Sequence, residues 1–541
     1  MLLFIALTLF CLIALAVRRE DGEGVAARRT SEVTIIPTES FNLKVLRRKA
    51  GDRIDVAPAG VNHQWFAANF ANLPVDRETA IRVCMEGNDI GINIADCRKW
   101  VGLRPLMTYA DPTQYESYQW YRRDAQGRWV SGDLFARGAA KYAGAGRVPE
   151  QQVMPAHLAE QFLTNDGAVW HPWREMAEGE VDIAARTFTV RERFEQPRAA
   201  MALHIPYTFA YQEAFLQRLR AARLPGVAVD EIGRSAKGRK LYMVRVDDPE
   251  HPTPLRLGEA SAHSAGTRAP LVKIEDPPDA VKPRVMLVVA REHGSEHPSG
   301  WVLQGLLRKL LDNTAEARRL REGTTWLLLP MYDPDGVANS VFHAITDRFF
   351  PHNNHPVYGS VTPPEVIAYA RYLRAFVNSG RMLATVSSFY GLECNEGMPV
   401  VCPHVIKQEK ELLLDFNEFW FTRLRQDGVL TNDPRRPWHE GWVPHRLHGW
   451  CWYWYGAFTA VFQLGDRFPD CRLGLCELEA LGAGYATTVA DWLETPQGRQ
   501  RLEQTRQFLQ QRAKERDLWF RTSMAGNPDD PTLYDMLSMG Y

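Results

Sequence analysis

The sequence lacks an excess of charge of either sign, and this absence argues against several classes of protein. Its 541 residues hold 64 Lys and Arg against 65 Asp and Glu, a formal net charge of −1. A balanced chain gives no electrostatic reason to bind nucleic acid or an anionic surface. The sequence also has no internal repeat. Its 8 Cys form no C-x-x-C pair, which argues against a zinc ribbon or a dithiol redox motif.

The N-terminus carries one long apolar run, residues 2–17, followed by Arg18 and Arg19. The run is shorter than the roughly 20 residues that a membrane-spanning helix needs, and it suits the hydrophobic part of a signal peptide. No positive charge precedes it, and arginines that follow such a run also suit an uncleaved anchor. We therefore expect residues 1–17 to be a signal peptide or an N-terminal anchor, and the protein to be exported or membrane-anchored. A misassigned start is the third interpretation.

The length and composition predict a globular protein of two or three domains, with 45% hydrophobic and 24% charged residues. Residues 33–205 contain short segments in which apolar and polar residues alternate between Pro, Asp-Gly or Gln-Gly turns. One pair of segments, Glu116–Arg123 and Gly127–Val130, has the spacing of a β-hairpin. We expect residues 33–205 to form an antiparallel β-sandwich domain and residues 518–541 to be a C-terminal tail.

The segment from Arg284 to Asp312 organises the rest of the chain. Val285–Ala290 is a short apolar run rich in β-branched residues, which predicts a strand buried on both faces. Trp301–Leu311 has apolar residues at helical spacing, and Ser299 or Gly300 stands where a helix cap is expected. The turn between strand and helix lies at the carboxyl end of a buried strand, where α/β folds place their chemistry.

Two side chains of this turn, His293 and Glu296, can offer a nitrogen and a carboxylate oxygen to one zinc ion. About one such H-x-x-E match is expected by chance in a chain with 15 His, so the pair alone is weak evidence. With His297 the same residues also spell H-x-x-E-H, the inverted zincin signature. That site needs both histidines on one helix face, and Gly294 and Pro298 interrupt any helix here, which disfavours it.

Strands and helices alternate over residues 206–517, which predicts an α/β domain whose mixed sheet is covered by helices on both faces. Further predicted strands are Thr325–Leu329, Leu383–Ser387 and Ala457–Leu464. We expect them to be neighbours of Val285–Ala290 in one parallel or mixed sheet.

Two linking segments are also interpreted from composition. Residues 247–283 hold many Pro, Gly and His residues, which predicts a loop or lid ahead of the strand Val285–Ala290. Ala490–Asp517 is predicted to be one long charged helix that closes the domain.

The order of strand, H-x-x-E turn, helix, second strand and D-P-D-G turn at residues 333–336 resembles the zinc metallocarboxypeptidase family. The likeness is closest to the cytosolic-carboxypeptidase-like branch. MALHIPYTFAYQEAFLQRL, EIGRSAKGRKLYMVRV and WVLQGLLRKLL resemble segments of that branch in the same order, and the likeness covers roughly residues 60–495. The resemblance implies a zinc-carboxypeptidase-like α/β domain preceded by an antiparallel domain, a zinc cofactor, and hydrolysis of C-terminal residues from peptides.

The resemblance carries the first two zinc ligands over to His293 and Glu296. The family's third ligand is a histidine at the end of a later strand, where this chain has Ser388, Phe389 and Tyr390. None of these three is a usual zinc ligand.

Two acids that follow this strand, Glu393 and Glu396, are the alternative third ligands, and acids that cap a loop are the plainer interpretation. The family's general base is a glutamate on a late strand. Here Gln463 stands in its place within the run FQLGDRF, and an amide cannot accept a proton near neutral pH.

The resemblance also implies side chains that hold the terminal carboxylate of a peptide. After the D-P-D-G turn the chain offers Arg348, Asn353 and Asn354, and Tyr390 stands at the later strand end. Arg348 is the candidate clamp, because a guanidinium holds a carboxylate with two hydrogen bonds. A surface salt-bridge arginine is the alternative.

The sequence leaves two functions open. An active domain would remove C-terminal residues by zinc-assisted attack of water, with Gln463 and Arg348 as its catalytic candidates. A domain that has lost hydrolysis would bind peptides or serve as a scaffold, since the third histidine and the glutamate are both missing. Either function has peptide or protein C-termini as partners and no nucleic acid, with membrane attachment where residues 2–17 are retained. We expect zinc binding to be weak, because two protein ligands stand where catalytic sites use three.

Overall fold

The fold is seen in a computed structural model. It describes residues 32–41, 43–48, 53–58, 66–84, 100–109, 112, 118–123, 129–131, 171–262, 268–277, 282–312, 314–339, 363–391, 401–405, 409–426, 439–440, 447–464 and 475–511. Among these residues, no helix combines the length and the apolar character needed to cross a membrane. The predicted N-terminal segment 1–17 and the predicted tail 518–541 lie outside the described residues.

The first part of the chain forms two β-sheets. Their strands are β1 (Thr34–Ile35), β2 (Leu43–Arg48), β3 (Arg53–Pro58), β4 (Ala67–Ala71), β5 (Glu78–Cys84), β6 (Leu106–Thr108), β7 (Tyr118–Arg123), β8 (Trp129–Ser131), β9 (His171–Glu175), β10 (Glu180–Asp182), β11 (Thr187–Arg193) and β12 (Arg198–Ala202). One sheet has the order β1-β4-β12-β6-β9-β7-β8, and the other has the order β10-β11-β5-β3-β2. Most neighbours are antiparallel, while β3 with β5 and β7 with β9 are parallel.

An aromatic cluster joins these two sheets. The ring centroid of Phe66, next to β4, lies 5.2 Å from that of Trp100 and 5.9 Å from that of Phe188 in β11. All three side chains are buried. The prediction that a largely antiparallel sheet domain precedes the α/β domain is confirmed.

The second part of the chain forms the mixed sheet. Its strands and those of a separate hairpin are β13 (Val227–Arg234), β14 (Lys240–Val246), β15 (Leu255–Ala262), β16 (Arg268–Ile274), β17 (Arg284–Ala290), β18 (Thr324–Leu329), β19 (Leu383–Tyr390), β20 (Val401–Val405), β21 (His439–Glu440) and β22 (Phe458–Leu464). The sheet order is β13-β14-β18-β17-β19-β22-β20-β21. β18, β17, β19 and β22 are parallel neighbours, as predicted, whereas β14 and β20 run antiparallel to that set.

Helices cover both faces of this sheet. They are α1 (Phe209–Ala222), α2 (His297–Leu311), α3 (Ala315–Arg321), α4 (Pro334–Asn339), α5 (Pro364–Asn378), α6 (Lys410–Gln426), α7 (Leu447–Tyr455), α8 (Leu475–Leu493) and α9 (Pro496–Gln511). Along β17, Met286 and Val288 belong to the core that contains α2 and α8. Val285, Leu287 and Val289 belong to the core that contains α5 and α7. A strand that supplies two cores is apolar at every position, which explains its continuous hydrophobic run.

The helix after β17 begins earlier than predicted. α2 starts at His297 with Glu296 at the N-cap position, so the predicted caps Ser299 and Gly300 were wrong. Pro298 lies in the first turn, where the missing N–H of a proline would have no helical partner in any case. The proline therefore starts this helix and does not interrupt it.

Two linking segments also differ from their prediction. Residues 247–283 contain the hairpin β15–β16, whose residues Leu255 and Val272 pack against the core, so the interpretation as a loop or lid alone was wrong. The predicted helix Ala490–Asp517 is divided into α8, which ends at Leu493, and α9, which begins at Pro496. A proline cannot donate the hydrogen bond that would continue α8, so the helix ends before Pro496.

Glycines set the distance between α2 and α8. A Cβ atom on Gly482 would lie 1.7 Å from the carbonyl oxygen of Val302, and one on Gly305 would lie 2.0 Å from the carbonyl oxygen of Glu479. Both near atoms belong to the backbone, which cannot turn aside as a flexible side chain can. Glycine costs a helix about 1 kcal/mol relative to alanine, so these positions are explained by packing and not by helix propensity.

Gly482→Ala is expected to lower the free energy of unfolding by about 3 kcal/mol or more, because the new methyl group meets a fixed carbonyl. Gly238→Ala is the matched control. Nothing lies within 4 Å of its Cβ position, and its φ of +84° predicts a loss of only about 1 kcal/mol. Chemical denaturation of both variants measures the difference, and equal losses would contradict the close crossing.

Candidate active site

The turn after β17 gathers polar side chains at the carboxyl edge of the mixed sheet. Glu292, His293 and Glu296 are 0%, 4% and 1% exposed. His293 Nδ1 lies 2.5 Å from Glu296 Oε1, and the Glu296 N–H donates to the His293 carbonyl at 3.2 Å. The parallel strand ends here, so these residues lie where α/β sheets open towards a ligand.

The end of β19 meets this turn. The ring centroid of Tyr390 lies 5.0 Å from that of His293. A Cβ atom on Gly391 would lie 2.3 Å from the Cβ atom of Glu296, so glycine is needed for the close approach. Tyr390 is the register partner of Gln463 in β22, which puts these two positions side by side on neighbouring strands. His293, Glu296 and Tyr390 are therefore brought together at one place.

The D-P-D-G turn after β18 joins three elements at this edge. The carboxylate of Asp335 accepts three hydrogen bonds. Its donors are the Ser235 hydroxyl at 2.9 Å, the Lys237 N–H at 2.9 Å and the Arg239 guanidinium at 2.6 Å. All three donors lie in or next to the β13–β14 turn. A charge-assisted network therefore fixes that turn to α4 and to the end of β18.

A buried carboxyl group, Glu365, lies at the start of α5, beside the hydrogen-bond network around Asp335. Its Oε1 accepts the Ala236 N–H at 2.9 Å, and the residue is 1% exposed. Burial, with repulsion from Asp333 and Asp335, raises the pKa of Glu365 to about 7, while its backbone hydrogen bonds act in the opposite direction. Glu365 thus takes up or releases a proton near neutral pH.

Known proteins share both the sequence and the arrangement of this region. Residues 212–353 match the model of the zinc carboxypeptidase family. Mouse cytosolic carboxypeptidase 1 is 28% identical over 163 residues, which are 28% of this chain and 11% of that protein. Cytosolic carboxypeptidase 2 of Macaca fascicularis is 24% identical over 166 residues, which are 30% of this chain and 17% of that protein. Residues 212–353 are thus similar to the zinc carboxypeptidase family.

Solved structures of bacterial metallocarboxypeptidases share the fold. The enzyme from Burkholderia cenocepacia has a TM-score of 0.55 at 15% identity and covers 85% of this chain and 98% of its own. The enzyme from Pseudomonas aeruginosa, in complex with (2-guanidinoethylmercapto)succinic acid, has a TM-score of 0.56 at 15% identity and covers 87% and 100%. These likenesses confirm the predicted fold class. This chain spans only 11% and 17% of the two cytosolic carboxypeptidases named above, so what those whole proteins do does not transfer with the match.

The donor set at the turn after β17 fits a zinc ion in part. His293 and Glu296 converge, and the second carboxylate oxygen of Glu296 has no hydrogen-bond partner among the described residues. A buried carboxylate oxygen with spare capacity suits a cation. Within the same part of the chain, no group of three or more His, Cys, Asp or Glu side chains is placed to hold a metal ion. Two side chains of the types that bind zinc thus converge here, and a third is not found among the described residues.

The strand end where the family has its third histidine offers Ser388, Phe389 and Tyr390. Ser388 is fully buried, and Phe389 turns into the aromatic core on the far side of the strand. Tyr390 is the residue of the three whose ring lies against the histidine of the turn. The alternative ligands Glu393 and Glu396 lie outside the described residues, and their role stays a prediction.

Three predicted substrate-binding residues, Arg348, Asn353 and Asn354, also lie outside the described residues. Gln463 is placed by its backbone position in β22. The catalytic and substrate-binding roles of these residues, and of Tyr390, stay predictions.

The inverted zincin interpretation does not fit the structure. His297 is the first residue of α2 and His293 precedes that helix, so the two histidines do not lie on one helix face. His297 Nδ1 instead accepts the Tyr207 N–H at 2.9 Å. Burial lowers the pKa of His297 well below its usual value, which keeps the ring neutral and able to accept this bond.

Sequence reasoning missed the residues that fix the β13–β14 turn next to the candidate site. Asp335 and Glu365 bind a turn that lies about 100 and 130 positions away in the sequence (Ser235 and Ala236), and hydrophobic periodicity carries no information about such pairs. The available signal was the S-x-x-G-R spacing of residues 235–239, which offers several donors within one tight turn.

Glu365→Gln is expected to flatten the pH dependence of stability. Between about pH 4.5 and 7 the folded protein keeps a proton on Glu365 that the unfolded chain has released, so the free energy of unfolding falls as pH rises. This contribution is present below about pH 4.5 and lost by about pH 7, and it amounts to about 3 kcal/mol. The amide keeps an oxygen for the Ala236 N–H but does not titrate.

Denaturation of wild type and variant at several pH values between 4.5 and 8 measures this effect. The partly buried Glu275, whose pKa is lowered by its hydrogen bond to Lys273, provides the control Glu275→Gln. Its curve should keep the wild-type fall between pH 4.5 and 7. Parallel curves for wild type and Glu365→Gln would show that Glu365 does not hold this proton.

Proposed function

We propose that the domain binds the C-terminal ends of peptides at the carboxyl edge of its mixed sheet and hydrolyses the last peptide bond with zinc held by His293 and Glu296. The observation that supports this most directly is the convergence of His293 Nδ1 and Glu296 Oε1, 2.5 Å apart in a buried turn. This turn belongs to a fold shared with metallocarboxypeptidases. Fold alone does not establish function, so the argument rests on these two side chains.

A zinc ion bound here would polarise the scissile carbonyl and lower the pKa of a bound water. The chain's own residues have narrower tasks. His293 and Glu296 would hold the metal, and both side chains are buried. Tyr390 lies against His293, where its ring forms part of the wall that a substrate meets. Gln463 can orient a water or a peptide amide but cannot remove a proton, so it cannot replace a general base.

The terminal carboxylate of the peptide is assigned in this proposal to Arg348, with Asn353 and Asn354 as further donors. A guanidinium offers two parallel hydrogen bonds to a carboxylate. The solved Pseudomonas aeruginosa metallocarboxypeptidase is bound to (2-guanidinoethylmercapto)succinic acid. The succinate part of this compound carries carboxylates like that of a peptide terminus, which makes the compound a probe of the binding step alone.

A second candidate function is the binding of peptide C-termini without hydrolysis. It rests on Tyr390 and Gln463, which are register partners across β19 and β22. This candidate equates the two positions with the family's third ligand and general base, and both carry residues unsuited to those tasks. Glu393 and Glu396 are the residues that would restore a ligand or a base from outside the described part of the chain.

We expect the unaltered domain to bind zinc weakly and to release C-terminal residues slowly. Tyr390→His should strengthen zinc binding by about 100-fold, since even the loss of an outer partner of a ligand costs about 10–100-fold. Gln463→Glu combined with Tyr390→His should raise the release rate by about 10²–10⁴-fold, the usual range for general-base assistance. Gln463→Glu alone should change little. Zinc competition titration and mass analysis of a peptide mixture measure both quantities.

Phe419→His, which adds a histidine at an exposed position of α6, is the control and should leave zinc binding unchanged. Slow wild-type release that His293→Ala abolishes would support the hydrolytic proposal. Binding of (2-guanidinoethylmercapto)succinic acid without any peptide release would favour the second candidate. Rapid wild-type release that depends on His293 but not on Gln463 would show that the base lies elsewhere, for example at Glu393 or Glu396.

Export or membrane anchoring through residues 1–17 is also proposed. The support for it is the apolar run 2–17 with Arg18 and Arg19 after it. N-terminal sequencing of the full chain expressed in a secreting host measures the outcome. A start near residue 17 indicates a signal peptide, and an intact N-terminus in the membrane fraction indicates an anchor. An intact N-terminus in the soluble fraction would contradict both.

A further inference from the structure

Arg291 has an unusual backbone conformation. It directly follows β17 and precedes the candidate zinc turn, the turn that carries His293 and Glu296. Its φ is +56°, in the left-handed region that favours glycine. The conformation is fixed on both sides, because the Arg291 N–H donates to the Ser299 hydroxyl at 3.0 Å and its carbonyl accepts the Asp333 N–H at 3.1 Å. A bulky residue in such a conformation is held by its surroundings, which calls for a reason why glycine is not used there.

The side chain of Arg291 supplies that reason. It is fully buried, and its guanidinium donates to the carbonyl oxygens of Tyr207 and Gly294, the latter at 2.5 Å. One of its nitrogens also lies 3.2 Å from Nδ1 of His297. Gly294 lies between the two proposed zinc ligands in the sequence, so this guanidinium is hydrogen-bonded to the backbone that separates them. Burial lowers the pKa of Arg291, and the charge of the nearby Glu296 carboxylate opposes that effect.

Tyr207 belongs to the segment that leaves the N-terminal sheets after β12. Its ring covers Gly300, where a Cβ atom would lie 2.5 Å away, and packs edge-to-face on Trp301 at 4.8 Å. Trp301 Nε1 donates to the carbonyl oxygen of Ile205 at 3.0 Å. The exit of the N-terminal domain is thus attached to the first turns of α2, and Arg291 connects the same segment to the zinc turn.

We propose that Arg291 is a positioning residue that holds the turn carrying His293 and Glu296, so that the two side chains stay together, with the carbonyl of Tyr207 in the segment after β12 as its anchor. The planar guanidinium suits this task because its donors lie in a fixed fork that reaches two carbonyl oxygens at once. A lysine at this position would keep the positive charge but would lack the planar, fixed arrangement of donors. The inference rests on the proposed zinc-binding function for its purpose, but the grip on the turn can be measured without metal.

Arg291→Gly removes the side chain while keeping a residue that adopts the left-handed backbone freely. Arg291→Lys keeps the charge. Amide hydrogen exchange by mass spectrometry reports on residues 291–299, whose N–H groups at Glu296, His297 and Ser299 are bonded within the turn. In Arg291→Gly we expect these amides to exchange at least about 10-fold faster, because local opening no longer breaks the guanidinium bonds. Zinc affinity should fall about 10–100-fold.

The matched control is Arg381→Gly, with Arg381→Lys beside it. Arg381 is also almost fully buried and donates hydrogen bonds to the Asp276 carboxylate at 2.6 and 2.7 Å and to the Ser379 hydroxyl at 2.6 Å, but it lies at the opposite, amino end of β19. Its variants should lose thermal stability while exchange at residues 291–299 and zinc affinity stay within about twofold of wild type. Compared with Arg291→Gly, Arg291→Lys should restore more of the wild-type thermal stability than of the slow amide exchange in residues 291–299.

Unchanged exchange in residues 291–299 of Arg291→Gly would overturn the proposal. So would an equal effect of the Arg381 variants, because a general loss of stability would then explain both. If the wild type binds no zinc, the proposed function fails, whereas the exchange comparison still decides whether Arg291 holds the turn.

Discussion

Burial of charge at one edge of the mixed sheet is the constraint on which the rest of the structure depends. A charged side chain removed from water is stable only when another group pairs with it or bonds to it. At the carboxyl edge, His293 meets Glu296, Arg239 meets Asp335, and Arg291 is held by two backbone carbonyls. Each of these contacts fixes the conformation of a turn at the carboxyl edge or ties such a turn to another element. The polar edge therefore decides where the turns lie, while the apolar core beneath decides only that the sheet is covered.

The apolar core contributes most of the burial but tolerates exchange of one aliphatic residue for another more readily than the edge tolerates any exchange. Its specific points are few. Gly482 and Gly305 let two helix backbones approach each other, and Gly391 lets the end of β19 approach Glu296. At these positions a single methyl group would displace an element that carries or supports the candidate site. Helix packing and site geometry are therefore connected at these glycines.

The parallel strands were predictable because a strand buried on both faces is apolar at every position, as Val285–Ala290 is. The turn residues His293 and Glu296 were predictable from their place after that strand. The start of α2 was not, because Pro298 acts as a helix starter or as a breaker according to the backbone on either side of it. The role of Arg291 was also hidden, since a positive φ and a bond to Tyr207 follow from contacts across 84 positions of sequence. Local patterns carry no record of such contacts.

The contact between His293 and Glu296 limits what the site does without further ligands. A hydrogen shared by Nδ1 and Oε1 and a metal ion coordinated by the same two atoms are mutually exclusive states. Zinc binding would therefore require the shared proton to leave this contact and the buried hydrogen bond to break, so a metal would gain less from these two ligands than from two that have no bond to each other. A third ligand adds attraction to the metal-bound state alone. Under the proposed function, the residue at position 390 would decide whether the pair stays hydrogen-bonded or binds a metal ion. A carboxylate at position 463 could then serve as a general base only if the metal ion is bound.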